Sequence, residues 1–189
     1  LPGMENYTLK LFTPYLGGYS VARALSGIMP LTTAIKSTVF LALLLPLLAL
    51  YLELRKRPFL RWSVFLVIPF LFNWTFYWGF LNFIFAIGPM LFCSFLSIRL
   101  ITRRSGYSYY VIGACALLLF FFHIFCALMY VGLMGLYVLA KTKNLKQIVL
   151  SLIAFLPFFA LTAGWQISRS PPGQGSPVSE SFAGTVWFL

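Results

Sequence analysis

Between Arg61 and Arg99 the chain runs from Trp62 to Ile98, 37 residues, without one charged side chain. As a single helix this stretch would be about 55 Å long at ~1.5 Å per residue. The hydrocarbon core of a bilayer is only about 30 Å thick. Basic clusters stand at both of its ends: Arg55, Lys56, Arg57 and Arg61 before it, Arg99, Arg103 and Arg104 after it. Clustered Lys and Arg stay on the cytoplasmic side of a membrane. The stretch is therefore expected to cross twice, as a helical hairpin. Its middle, Asn73-Trp74-Thr75-Phe76-Tyr77-Trp78-Gly79, suits a turn, because Trp and Tyr favour the interface and Gly and Asn interrupt helices. The first arm, about Phe59 to Phe72, is short and carries Pro69, so it reads as a tilted or partial span.

The pattern recurs. Residues 105 to 140 carry no charge apart from the titratable His123 and end at a third basic cluster, Lys141, Lys143 and Lys146. The same argument predicts a second hairpin turning near His123. Ser37 to Leu54 and Ile148 to Trp165 are long enough for one crossing each, with Pro46 and Pro157 inside them. Six membrane-crossing or membrane-embedded helices follow, over 37–54, 59–72, 79–98, 107–122, 125–140 and 148–165. The fold class is an all-α integral membrane protein.

Composition excludes the alternatives. Only 9% of the residues are charged and 61% are hydrophobic, against roughly 25% charged in a soluble domain. A β-barrel would show segments of about ten residues alternating apolar with polar. Runs such as Thr38 to Leu52 are instead apolar on every face. The net charge of +11 does not point to nucleic acid, because the cations sit in short clusters between apolar runs. That distribution reports topology. It places loops 55–61, 99–104 and 141–146 in the cytoplasm.

The remaining segments divide the chain into three. Residues 1–36 mix aromatics, Gly, Pro and a few charges, as expected of amphipathic helices at the outer interface. Residues 37–165 form the transmembrane bundle. Residues 166–189 begin as a polar Pro/Gly/Ser loop and close on the apolar Val186-Trp187-Phe188-Leu189. The chain opens Leu-Pro-Gly-Met-Glu-Asn, without the basic and apolar regions of a signal peptide. An outward N-terminus then calls for an upstream span, so a piece of a longer protein, cut at both ends, is expected.

Acids, bases and metal ligands are scarce. The acids are Glu5, Glu53 and Glu180, and there is no aspartate. Glu53 stands beside Arg55, Lys56 and Arg57 and is expected to pair locally. Glu180 lies in the polar loop, and Glu5 is the one acid before the first span. Cys93, Cys115 and Cys126 lie in apolar runs without CxxC spacing and read as small buried hydrophobes. His123 is the only histidine, and ionisable groups at membrane depth are often functional. At a hairpin turn, however, it reaches interfacial water, and a structural hydrogen bond to a neighbouring helix is the plainer expectation. Asn73 suits a helix cap, and Asn82 a hydrogen bond to a neighbouring helix. The Asn-x-Thr triplets at Asn6 and Asn73 carry little weight. No P-loop, GxSxG, HExxH or dinucleotide fingerprint occurs, and no metal site or cofactor is expected from these residues.

The phrase Asn73-Trp74 with Gly79-Phe80-Leu81-Asn82 resembles a run in bacterial polytopic membrane proteins distantly related to the GT-C superfamily of glycosyltransferases. The aromatic run into His123, continuing through Gly135 and Leu136, and the basic loops around Arg55 and Arg103 are similar as well. The likeness covers residues 8–165. It implies a bacterial inner-membrane enzyme that passes a sugar from a polyprenyl-phosphate donor to an outer-face acceptor. It further implies a catalytic aspartate in a large outer loop, which this chain does not carry, and any divalent metal would be held by residues outside it. Asn73, Trp74, Tyr77, His123 and Glu5 are then the residues expected to face donor, acceptor or lipid. The alternative is a non-enzymatic membrane protein, a transporter subunit or lipid-handling scaffold. Transporters place broken helices and polar groups at the midplane, whereas the polar residues here gather at the outer turns.

Overall fold

The computed structural model describes residues 16–57, 59–71, 81–103, 107–141 and 145–168, and within them every regular element is helical. A short helix α1 (Leu16–Ser26) is followed by the long α2 (Leu31–Leu54). A 3₁₀ segment, Arg61–Val67, then leads into the single turn α3 (Ile68–Leu71). Among the described residues four helices follow: α4 (Leu81–Thr102), α5 (Ser108–Phe122), α6 (Ile124–Lys141) and α7 (Leu145–Ile167). Helices α2, α4, α6 and α7 are long and apolar enough to cross a membrane, and α5 is a shorter apolar helix. Large apolar side chains stand exposed along them, among them Phe40, Phe92, Leu133, Leu136 and Leu152. A water-soluble monomer rarely tolerates so much contiguous apolar surface, and lipid covers it here. The protein is an all-α integral membrane protein.

Helix α2 starts at Leu31, within the segment expected to lie at the interface. Pro30, at the N-cap with φ −54°, has its dihedral preset and needs no N–H partner there. Its carbonyl accepts the Ala34 N–H at 2.9 Å, so the helix is already closed by residue 34. Lys36 then falls inside the first two turns, where a long side chain can reach back to the interface.

Helices α2 and α4 run side by side and in the same direction. Pro46 meets Gly88 near mid-helix, and Glu53 ion-pairs with Arg99 at the C-terminal ends. Parallel neighbours require the chain between them to return the full length of α4, whose 22 residues span about 33 Å. The described part of that return is the 3₁₀ segment and α3, which rise roughly 20 Å. These elements fall within the first arm expected over residues 59–72. Its turn at Asn73–Gly79 lies outside the described residues. The stretch from Trp62 to Ile98 is not one uniform α-helix, since its described residues to Val67 are 3₁₀ and α4 packs parallel to α2.

Glu53 does not pair with its sequence neighbours as expected. Helix α2 ends at Leu54, so Arg55, Lys56 and Arg57 leave the regular i, i+4 geometry that a local pair uses. The parallel α4 instead carries Arg99 alongside.

The second hairpin closes as expected. His123 separates α5 from α6, and Tyr130 on α6 lies 3.5 Å from the Ile112 carbonyl on α5. Helix α7 then runs parallel to α5, with Ala154 against Gly113 and Trp165 edge-on to Phe120. The core between α4, α5, α6 and α7 is built on Ile112, Ala116, Phe120, Tyr130 and Phe158, all 0% exposed. Small residues at the contacts (Ala86, Gly88, Gly113, Ala116, Ala127) let the backbones approach, which is how helices gain packing where lipid is as apolar as they are.

The three cysteines are buried and free. Tyr130 and Ser97 form the polar centre of this core, with their hydroxyls 2.6 Å apart. Tyr130→Phe leaves the ring packing intact and deletes this bond, while Ser97 can turn to a carbonyl of its own helix. The expected loss is about 0.6–1.7 kcal/mol, the range for interhelical hydrogen bonds in membranes. Reversible unfolding in mixed micelles measures it, with Tyr137→Phe as the exposed comparison.

Candidate functional site

Three elements converge at the end of the bundle opposite the Glu53–Arg99 pair. The N-terminus of α4, the α5–α6 turn and the whole of α1 gather there. Helix α1 docks through Gly17 and Gly18, both buried. A Cβ on Gly17 would come within 2.5 Å of the Phe122 ring, and one on Gly18 would strike the side-chain oxygen of Asn82. Only glycine permits so close an approach. Beneath α1, Phe85 and Phe122 stack at 5.8 Å with their rings 6° apart, closing the floor. Val21 packs on the same group, together with Ala42 and Ile84.

His123 holds the turn. Its N–H donates to the Leu119 carbonyl at 2.9 Å and ends α5, while its carbonyl accepts from Ala127 at 3.1 Å and starts α6. The Phe125 N–H donates to its Nδ1 at 3.2 Å, the bond that an N-cap side chain makes. With Nδ1 accepting, the neutral ring carries its proton on Nε2. Burial lowers the imidazole pKa below its ordinary value, because desolvation disfavours the cation. Burial thus favours the neutral ring. Phe83 stands edge-on to it at 5.3 Å and carries Phe125 on its other flank at 6.1 Å. This hydrogen bond is a local cap on the helix that His123 begins, where the sequence pointed to a bond with a neighbouring helix.

Of the residues expected at this end, His123 is described, and Glu5, Asn73, Trp74 and Tyr77 lie outside the described residues. Asn82, expected to hydrogen-bond to a neighbouring helix, lies against α1, with its side-chain oxygen beside Gly18. The sequence reading passed over Gly17 and Gly18 as docking residues. Their signal was a Gly-Gly pair inside an aromatic segment, but nothing in it named the partner. Arg23 and Lys36 are both exposed and lie on α1 and α2, the two helices that meet here. The only described acid, Glu53, is at the far end. No group of three or more potential metal ligands occurs among the described residues.

Comparison with known proteins adds no relative: no family model, no curated protein and no solved structure matches the chain.

Proposed function

We propose that this end of the bundle, facing outward, holds a polyprenyl-phosphate sugar donor for a GT-C-like glycosyltransferase of the bacterial inner membrane. The observation that carries the reading is the docking of α1 on Asn82 and Phe122 beside His123. It fixes an aromatic and polar shelf at the membrane surface, at the end away from the clustered Lys and Arg. Two exposed cations, Arg23 and Lys36, lie on the helices that build it and can offset a phosphate's charge. The apolar flanks of α2 and α4 continue into the bilayer, where an isoprenoid chain would lie. The resemblance of the Asn73–Asn82 phrase to GT-C-related proteins supplies the reaction class. In this reading the described residues bind and orient the donor, and the carboxylate that activates the acceptor comes from elsewhere.

The test measures sugar transfer in membranes by the complete protein, its acceptor-activating carboxylate included, from a labelled polyprenyl-phosphate donor, with protein amounts matched by blotting. Asn82→Ala and Arg23→Gln are each expected to lower transfer about tenfold, roughly 1.4 kcal/mol of lost interaction. Lys141→Ala, at the basic end, should stay within about twofold. His123→Asn keeps a capping side chain but removes the ring, so a loss of transfer at normal abundance assigns the ring to the donor. If the parental protein crosslinks to a photoactivatable polyprenyl phosphate yet transfers no sugar, the non-catalytic lipid-handling reading replaces this one.

A further inference from the structure

At the opposite end, the parallel packing of α2 and α4 leaves a cleft of about 200 Å³ between their C-terminal turns. Arg55, Lys56 and Arg99 stand at it, together with Glu53, and Phe92 and Leu96 form part of its apolar wall. Three cations against one carboxylate leave a local charge of +2. Glu53 is committed to Arg99, and neither Arg55 nor Lys56 has an ion pair among the described residues. Phe92 and Leu96 lie one to two turns deeper along α4 than Arg99, and are 56% and 37% exposed. The cleft is therefore cationic at its mouth and apolar toward the bilayer.

We propose that this cleft is a binding site for an anionic phospholipid of the leaflet at the basic end. Its phosphate lies between Arg55, Lys56 and Arg99, and the start of an acyl chain lies on Phe92 and Leu96. Basic pockets between transmembrane helices have the chemistry that recognises such headgroups. A guanidinium suits phosphate because its N–H groups form a planar fork. A soluble anion would gain nothing from the apolar wall, whereas a lipid uses both parts. The plainer account of the basic cluster is orientation by charge alone. That account treats Arg55, Lys56 and Arg57 alike. The cleft does not: all three are exposed, but Arg55 and Lys56 line it and Arg57 does not.

Native mass spectrometry of the full chain released from detergent tests the site, with phosphatidylglycerol, phosphatidylcholine and inorganic phosphate as probes. Phosphatidylglycerol is expected to bind at least about tenfold more tightly than phosphatidylcholine. A cation near an anionic lipid is worth about fivefold in affinity, so the double variant Arg55→Gln/Lys56→Gln should weaken phosphatidylglycerol roughly 25-fold. Arg57→Gln should stay within about twofold. Leu96→Trp fills the apolar wall without changing charge and should also lower lipid occupancy, which keeps the test decisive if the double variant folds poorly. Equal binding of the two lipids overturns the proposal, as does a loss in Arg57→Gln as large as in the double variant. Displacement of the lipid by millimolar phosphate overturns it too, since it would make the cleft a plain anion site.

Discussion

Gly88→Val is expected to destabilise the protein by at least ~1–3 kcal/mol, the usual cost of forcing extra carbon into a packed interior. A Cβ at this position would lie 2.5 Å from Leu45 Cβ, 2.9 Å from the Leu45 carbonyl carbon and 3.0 Å from the Pro46 nitrogen. Two of those three atoms are backbone, so no rotamer change relieves the clash. The helices must separate. Pro46 is itself among the fully buried residues, and a proline inside a helix removes the hydrogen bond to the carbonyl four residues earlier. Gly88 thus presses on the one point of α2 where the helix lacks a bond, and the most direct response is for α2 to bend away. Thermal unfolding in detergent should show a midpoint several degrees lower. Because α2 and α4 also wall the basic cleft, the same variant should lose phosphatidylglycerol binding, although it alters no charge. A midpoint equal to the parent's would show that α2 and α4 do not pack at this depth.

Gly113→Val should be comparably damaging for a different pair of helices. Its Cβ would lie 2.5 Å from the Ala154 carbonyl oxygen and 3.4 Å from the carbonyl carbon. A helical carbonyl cannot swing aside without breaking its own bond, so α7 must move from α5. The Phe120 contacts with Phe158 and Trp165, at 6.4 Å each, would open with it. The comparison is internal. Cβ atoms at Gly132, Gly135 and Gly164 would meet nothing within 4 Å among the described residues. Gly132→Ala, Gly135→Ala and Gly164→Ala should therefore be neutral or stabilise by up to ~1 kcal/mol, the helix-propensity difference between the residues. If all the glycine substitutions lower the unfolding midpoint equally, the effect is general loss of backbone freedom, not helix contact.

These glycines mark the boundary between what the sequence determined and what it left open. Charge placement determined the class and the frame. An uncharged run of 37 residues between basic clusters cannot be one helix in a bilayer about 30 Å thick, and in hydrocarbon each backbone group needs a partner within its own segment. The division of 105–140 into α5 and α6 at His123 followed from the same two costs. Neither cost says which helix lies beside which. Helices such as α2 and α5 are apolar on nearly every face, so no stripe in the sequence separates the side that packs from the side that meets lipid. Only the tertiary structure placed Gly113 against Ala154 and brought Gly17 and Gly18 to Phe122 and Asn82. It also moved Glu53 from its sequence neighbours to Arg99, 46 residues away. Both ends of the bundle gained their chemistry from those contacts, because a few polar side chains in an apolar chain acquire a role only from the neighbours that helix packing gives them.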